Sequence, residues 1–481
     1  MNFKIKICLL LTAFLILSNN KSFAQIFRNA PAAIHIQSDV SDGKYSFQEI
    51  VKTAKEKDIK VLIFTDTAMR RWEFGIRPLE AVIMRRINQD SVFSFGIRNY
   101  LRALEDIQRD NPDMVIVPAV EVVPFYYWTG NFYDGSLTLY NWHKQVLIMG
   151  LEKESDYRYL PIIANYSWVP LNKKDLRRLW PLLLIILGIF ALRRHPRRTS
   201  YRQWGYALLV LGVLFLINNS HFSISNFDAY HGDQQTRPYQ ELIDYVNKKG
   251  GYIFWAHPEA KNIDRVIDVN VVTYPYKDDL LYAYGYTGSA MLFDESRSVA
   301  QVGGIWDKVL LDYCLGRREK PIWAIGEIDY HGEGKDLAGV QTVFLLEDFT
   351  KDGVIKALAS GKMYTKLNNQ TNDFSLEAFV ISDEKKETFG FMGDEIELSS
   401  KPGITIRTSC STYPGEPLEI RLIRNGEVIN EFTSENSNSR IKFQDEYFKP
   451  GEKIYYRIML ISGKNSYRVI SNPIFVKFVR Q

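Results

Sequence analysis

Cysteine is scarce: the chain of 481 residues has three, at positions 8, 314 and 410. Cys8 falls in the N-terminal leader described below. Cys314 and Cys410 lie far apart without C-x-x-C spacing, which excludes a thiolate metal site and leaves one disulfide between them open. An excess of charge of one sign is also lacking. Sixty basic residues against 56 acidic ones give a formal charge of +4, and the basic residues are scattered, so nucleic-acid binding is not expected. There is no P-loop, no dinucleotide-binding glycine fingerprint and no G-x-S-x-G; GYTGSA around Gly285 reads as a turn. No internal repeat is visible. Histidine is sparse as well, with seven residues in all, so their positions carry information.

The N-terminus has the form of an export signal. MNFKIK is basic, residues 7–17 are apolar, and Ser22-Phe23-Ala24 ends in a small residue suited to cleavage. An uncleaved anchor is the alternative, although the run is short for one. With cleavage the mature chain starts at Gln25, outside the cytoplasm.

From residue 34 onward the chain alternates helical and strand patterns. SFQEIVKTAKEKD has helical spacing, KVLIFTD is a buried strand ending at Asp66, a long helical stretch is expected next, and MVIVPAVE ends at Glu121. QVLIMG, YIFWAHP and IWAIGEIDYHG repeat the theme. Hydrophobic strands ending in His, Asp or Glu describe a parallel β/α sheet or barrel with polar groups at the strand C-termini. Two apolar runs, residues 179–192 and 204–217, interrupt this order around a loop with five arginines. Each run makes a helix of about 21 Å, short against a hydrocarbon core of about 30 Å, although Arg177 and Arg178 can snorkel. A transmembrane hairpin is the expectation and a buried helical hairpin the alternative. After residue 374 short alternating strands take over, with a hairpin signal at Asn425-Gly426, which predicts an all-β, immunoglobulin-like sandwich. The expected organisation is a signal peptide at 1–24, an α/β barrel in two parts at 31–175 and 228–370, the hairpin at 176–224, and the sandwich at 374–481.

The strand ends gather His35, Asp42, Asp66, Glu121, His143, His257, Asp329 and His331. Four of the seven histidines are in this set; His195, His221 and His231 lie in or beside the hairpin. A lone strand-end histidine is usually a satisfied core residue, but four in company with carboxylates are hard to explain that way. These residues resemble the PHP (polymerase and histidinol phosphatase) superfamily. AIHIQSDVSDG followed by a helix and KVLIFTDT is similar to its opening H-x-H, S-D-G and T-D-H motifs. Glu121, His143, His257-Pro258 and Asp329-Tyr330-His331 fall in its later metal motifs in the right order. TVFLLEDFTKDGVIKALASGKMYT resembles the closing strand-helix-strand of members that carry a C-terminal β domain. The resemblance spans residues 34–365 apart from the hairpin.

This resemblance implies a distorted seven-stranded β/α barrel with up to three metal ions at the strand C-termini. By position, one site would be His35, Gln37, Glu121 and Asp329; a second Asp42, Thr67 and His331; a third Glu121, His143 and His257, with Glu121 bridging. Two residues depart from the pattern: Gln37 stands for the second histidine of H-x-H, and Thr67 for the histidine of T-D-H. An amide oxygen is a poorer ligand than imidazole and a hydroxyl poorer still, so the second site is the most damaged. One or two divalent ions, zinc or manganese, are expected. The implied function is a membrane-tethered phosphoesterase that uses a metal-bound hydroxide, with Glu121 and Asp66 in the catalytic set and Arg70 or Arg71 clamping phosphate. A catalytically degenerate binding or sensing module and a hydrolase of a non-phosphate ester or amide are the alternatives. The expected partners are a small-molecule phosphoester and membrane lipid, with the barrel and sandwich on the periplasmic side of the cell membrane. The aromatic run PFYYWTGNFYDGSLTLYNW reads as a lid, a membrane-resting surface or barrel packing.

Overall fold

The computed structural model describes residues 27–167, 175–194, 199–219, 223–266, 268–293, 298–368, 373–383, 388–411, 417–462 and 466–480. The expected leader, with Cys8, and the positions of His195 and His221 lie outside these residues. The chain is a mixed α/β structure with a β-rich C-terminal region. Its main sheet is built from β1 (Arg28–Ile36), β2 (Val61–Phe64), β3 (Val115–Val122), β4 (Val146–Met149), β5 (Tyr252–Trp255), β6 (Gly288–Leu292), β7 (Trp323–Gly326), β8 (Val340–Leu346) and β9 (Met363–Leu367). Their order across the sheet is β7-β6-β5-β4-β3-β2-β1-β8-β9. β2, β4 and β7 are buried at every residue, as expected for apolar runs covered on both faces.

The path returns on itself. Past β7, Ile328 donates its N–H to the Ile34 carbonyl (3.0 Å), Tyr330 donates to His35 (2.8 Å), and Gln37 donates back to Tyr330 (2.9 Å). One expectation needs correction: β4 runs antiparallel to both β3 and β5. A reversed strand presents its N-terminal end where its neighbours present their C-terminal ends. His143, just ahead of β4, therefore reaches the same rim as Glu121 and His257.

The long helical stretch expected after Asp66 is confined to its second half, as Val92–Phe95 and Ile97–Asp110. Before it, Arg70–Gly75 and Met84–Gln89 form a two-stranded antiparallel ribbon. Strand alternation aims Trp72 and Phe74 at Trp128, with ring centroids 5.4 and 5.3 Å apart, and this packing overrides helical spacing. Most of the aromatic run 124–142 is packing of this kind; Phe125, Tyr126 and Trp128 are buried, while Phe132 and Tyr133 are exposed.

Helices α1 (Pro181–Arg194) and α2 (Thr199–Asn219) project from the sheet as a pair. They approach closely through glycines: a Cβ on Gly188 would lie 2.9 Å from the Gly205 carbonyl. Their other faces expose leucine, isoleucine, valine and phenylalanine, and only Pro181 and Gly188 of α1 are buried. The pair is thus not buried against the rest of the described chain. Ser200–Asn219 is the one helix among the described residues that is long and apolar enough to cross a membrane.

From Phe374 the described elements are strands. One four-stranded sheet faces an extension of the main sheet across a second apolar core. The two regions are continuous: β9 pairs with Ser466–Ser471, and Val343, Leu345 and Tyr364 contribute to that second core. Arg457, fully buried, binds Asp307 from Nε (2.7 Å) and Nη2 (2.6 Å). The Asn425-Gly426 turn has both residues at positive φ, 52° and 85°, as a two-residue hairpin requires. Cys314 and Cys410 are free thiols, so the disulfide left open by the sequence is not formed.

Candidate metal centre

His35 is brought into the site by a backbone irregularity. The β1–β2 register shifts between Ile34 and Ile36, and His35 takes φ 70°. Such a bulge turns a side chain off the regular alternation, and positive φ at a non-glycine residue marks local strain. Asp329, φ 49°, is its counterpart across the rim. Ser-Asp-Gly closes the turn after β1, where a Cβ on Gly43 would lie 2.1 Å from the Gln37 carbonyl.

His35, Glu121 and His257, all buried, form a group whose ligand atoms lie within 4.8 Å of one another. His35 Nε2 is 3.0 Å from Glu121 Oε1 and 3.5 Å from Asp329 Oδ1, while Nδ1 faces Glu327 Oε2 at 3.2 Å. The His257 ring stacks on His35 with centroids 5.7 Å apart. Its main-chain N–H donates to Glu327 Oε1. The Tyr276 hydroxyl gives its one proton to the Ala256 carbonyl (2.6 Å), so toward His257 Nδ1 (3.4 Å) it is the acceptor.

This arrangement calls for a cation. With Nδ1 of His35 committed to Glu327, Nε2 meets two carboxylates that can only accept. Burial would discharge His35, but Asp329 and Glu121 outweigh it and hold the imidazole well above its usual range, so a proton meets the demand when no ion does. Asp329 shows the converse: burial would raise it, yet His35, His257, His331 and Lys335 hold it below the usual carboxylate range. His143 is kept neutral mainly by burial, against the pull of Glu121. The donor set of imidazoles and carboxylates fits zinc or manganese.

Gln37 and Thr67 are turned to another task. Gln37 Nε2 donates to Glu121 Oε2 (2.9 Å), and the Thr67 hydroxyl donates to the same oxygen (2.9 Å). Gln37 Oε1 accepts from the Thr67 N–H (3.1 Å) and lies 2.5 Å from the Ser41 hydroxyl. A main-chain N–H only donates, which fixes the orientation of the amide: oxygen toward Thr67 and Ser41, nitrogen toward Glu121. Gln37 is here a brace on Glu121.

Asp66 is likewise one step removed. Its Oδ1 accepts from the Ser38 N–H, the Ser38 hydroxyl and the Ser41 hydroxyl, each at 2.8 Å, so it builds the 38–41 turn. Burial pushes its carboxyl up to about 6 against those hydrogen bonds. Ser41 has one proton for two acceptors, Gln37 and Asp66, and a protonated Asp66 would relieve that shortage.

The expected second position is taken by ion pairs. Arg70 lies 3.2 Å from Asp42 Oδ2, His331 Nε2 is 3.5 Å from the same oxygen, and Lys335 donates to Asp329 Oδ2 (3.1 Å). His331 loses charge by burial and regains it from Asp42 and Asp329, which leaves it raised. Arg71 does not belong here. Adjacent residues of a strand face opposite ways, and Arg71 donates instead to Asn88 Oδ1 (2.6 Å) and the Ala164 carbonyl (3.3 Å). Sequence reasoning also passed over Glu327, which is fully buried and holds both His35 and His257. Its signal was present: Glu327 directly follows the apolar run of β7, two residues ahead of Asp329.

No family model matches the chain, and none of the curated proteins matches it. Solved structures do. One is a two-domain protein from Bacteroides vulgatus described as containing a predicted PHP-like metal-dependent phosphoesterase; it is 9% identical over 91% of this chain and 96% of its own, with a TM-score of 0.34. Fibronectin(III)-like modules from Clostridium thermocellum are 14% identical over 22% of this chain and 100% of theirs, with a TM-score of 0.15. A Niemann-Pick type C2 protein from the Japanese carpenter ant is 11% identical over 23% of this chain and 97% of its own, also with a TM-score of 0.15. Similarity this loose assigns neither fold nor function, which rest on the geometry of the chain itself.

Proposed function

We propose that this chain is a membrane-tethered hydrolase dependent on one divalent ion, with a phosphoester as its substrate, and that its α/β region is a closed seven-stranded barrel of the PHP kind. The return of the strand path onto β1 through residues 328–330 supports the barrel. The convergence of His35 Nε2, Glu121 and His257 in a buried cation-demanding pocket carries the function. Those three residues would hold the ion, with Asp329 and His143 on the same rim. A divalent ion there supplies Lewis acidity toward a phosphoryl oxygen and acidifies water. Glu327 fixes both imidazoles, Gln37 and Thr67 fix Glu121, neutral His143 is placed to exchange a proton, and Arg70 offers a cation to the substrate's anionic oxygens.

Two observations support the tether. Both faces of the α1–α2 pair expose apolar side chains. The pair also leaves and re-enters the α/β region at one place, where the Ile224 N–H donates to the Asn165 carbonyl (2.9 Å). Two crossings would keep both barrel halves on one side, the periplasmic side if the leader acts as an export signal, and would put the arginine loop inside.

The second reading, a module that keeps the ion without turnover, draws on the Gln37–Thr67 brace, which removes one expected ion position. Metal analysis of the purified protein, with assays on phosphomonoesters, phosphodiesters and carboxylic esters, separates these readings. One ion with phosphoesterase activity abolished by Glu121→Gln is the expected result. One ion with no turnover of any ester favours the binding module, and cleavage of carboxylic esters alone favours the third class. A reporter near Pro196 that proves periplasmic would overturn the topology.

A further inference from the structure

We infer that the turn of the β ribbon, residues 76–83, is a second membrane contact that seats the α/β region on the lipid surface. This rests on reading α1–α2 as a membrane hairpin. The turn exposes Ile76, Val82 and Ile83 at 45, 37 and 50%. Isolated exposed apolar residues are ordinary, but these three share one tight turn, and it is tied to the place where the hairpin ends. The Ala81 N–H donates to Asn218 Oδ1 (2.8 Å), next to Ile217, the last large apolar residue of α2, itself 48% exposed. The exposed apolar ends of α2 and of the turn are thus held side by side, joined through the Asn218 amide.

The neighbourhood matches an interfacial plane. Trp180 heads α1 at this same end, 47% exposed, as an aromatic residue at the headgroup level would be. A cavity of about 390 Å³ beside the turn is lined by Ile76, Arg77, Phe132 and Tyr133; the last two are 59 and 82% exposed on their own loop. Exposed Arg85, just past the turn, suits anionic headgroups, while Arg77 within it is held by Glu80 (3.4 Å) and the Tyr230 carbonyl (2.6 Å). Residues of this character lie in the boundary between headgroups and acyl chains without crossing it. Three contacts, the hairpin, the turn and the 132–133 loop tip, would stop the region swinging on its two helices.

The test places p-benzoylphenylalanine at position 83, 132, 190 or 389 of the full-length protein in liposomes containing anionic phospholipid. Irradiation and mass spectrometry then identify adducts. Phe190 reports the hairpin, and Phe389, exposed in the C-terminal β region, is the control. Lipid adducts from 83, 132 and 190 and none from 389 are expected. Adducts from 190 without those from 83 and 132 would overturn the second contact while leaving the hairpin standing. No adduct from 190 would overturn the hairpin, and the inference with it.

Discussion

Thr67 donates its main-chain N–H to Gln37 Oε1 at 3.1 Å, and the two side chains then meet at one carboxylate oxygen, Glu121 Oε2, at 2.9 Å each. The two departures from the family motif are thus one device. Restoring histidine at either place alone breaks it. In Gln37→His, the Thr67 N–H loses its acceptor and the Ser41 hydroxyl keeps only Asp66; in Thr67→His, Glu121 loses a donor. Each single variant should keep one bound ion and lose about 1–3 kcal/mol, the cost of an unsatisfied buried polar group. The double variant should bind a second ion. Metal content by plasma mass spectrometry, with thermal melts, checks this; a second ion in either single variant would show that the brace does not close the position.

Proton release should accompany metal binding. His35 is raised above its ordinary value of 6.5. Its contribution to the stability of the metal-free protein is therefore present below about pH 6.5 and is lost as pH rises through the raised value. An ion must displace that proton, so affinity should climb with pH and binding near neutrality should release about one proton. Calorimetry in buffers of unlike ionisation heat measures the number. Zero release would contradict the raised imidazole.

Glu327→Gln should weaken metal affinity by ~10–100-fold, the usual effect of losing an outer-shell carboxylate. The carboxylate accepts from His35 Nδ1 with one oxygen and from the His257 N–H with the other. An amide offers one acceptor and one donor, so one of those N–H groups would face a donor. Competition against a chelator reads the change.

The two adjacent arginines should separate cleanly. Arg70→Ala should lower phosphoester kcat/KM by about tenfold or more, matching a lost charged hydrogen bond of ~1.5–3 kcal/mol. Arg71→Ala, whose guanidinium serves Asn88 and Ala164, should stay within about threefold. Equal losses would mean that Arg70 acts only through the fold.

Asp307 and Arg457 should join the two regions into one melting unit. Arg457→Met leaves a buried carboxylate without its cation and should cost ~3–5 kcal/mol, whereas Asp307→Leu/Arg457→Met should recover much of the loss. Calorimetry of the detergent-solubilised protein should show one transition for wild type. Two separate transitions would mean that the β region folds independently.

Much of this protein is written in local patterns. Apolar strands ending in acids and histidines located β1, β2, β3, β5 and the rim they share, because period-two burial and strand length are local properties. The Asn425-Gly426 turn and the all-round apolar α1 and α2 were legible for the same reason. Residue identity alone could not say what Gln37 does, since its amide can ligate or brace, and the choice fell to the Thr67 N–H that reaches it across the sheet. Nor could it tell Arg70 from Arg71, because which face of a strand looks into the site is decided by packing, here Trp72 and Phe74 on Trp128. The reversal of β4, the bulge that turns His35 inward, and the grip of Glu327 on two histidines far away in sequence arise only when distant segments meet. Tertiary structure decides such features because a buried donor or acceptor must find its partner wherever the fold supplies one.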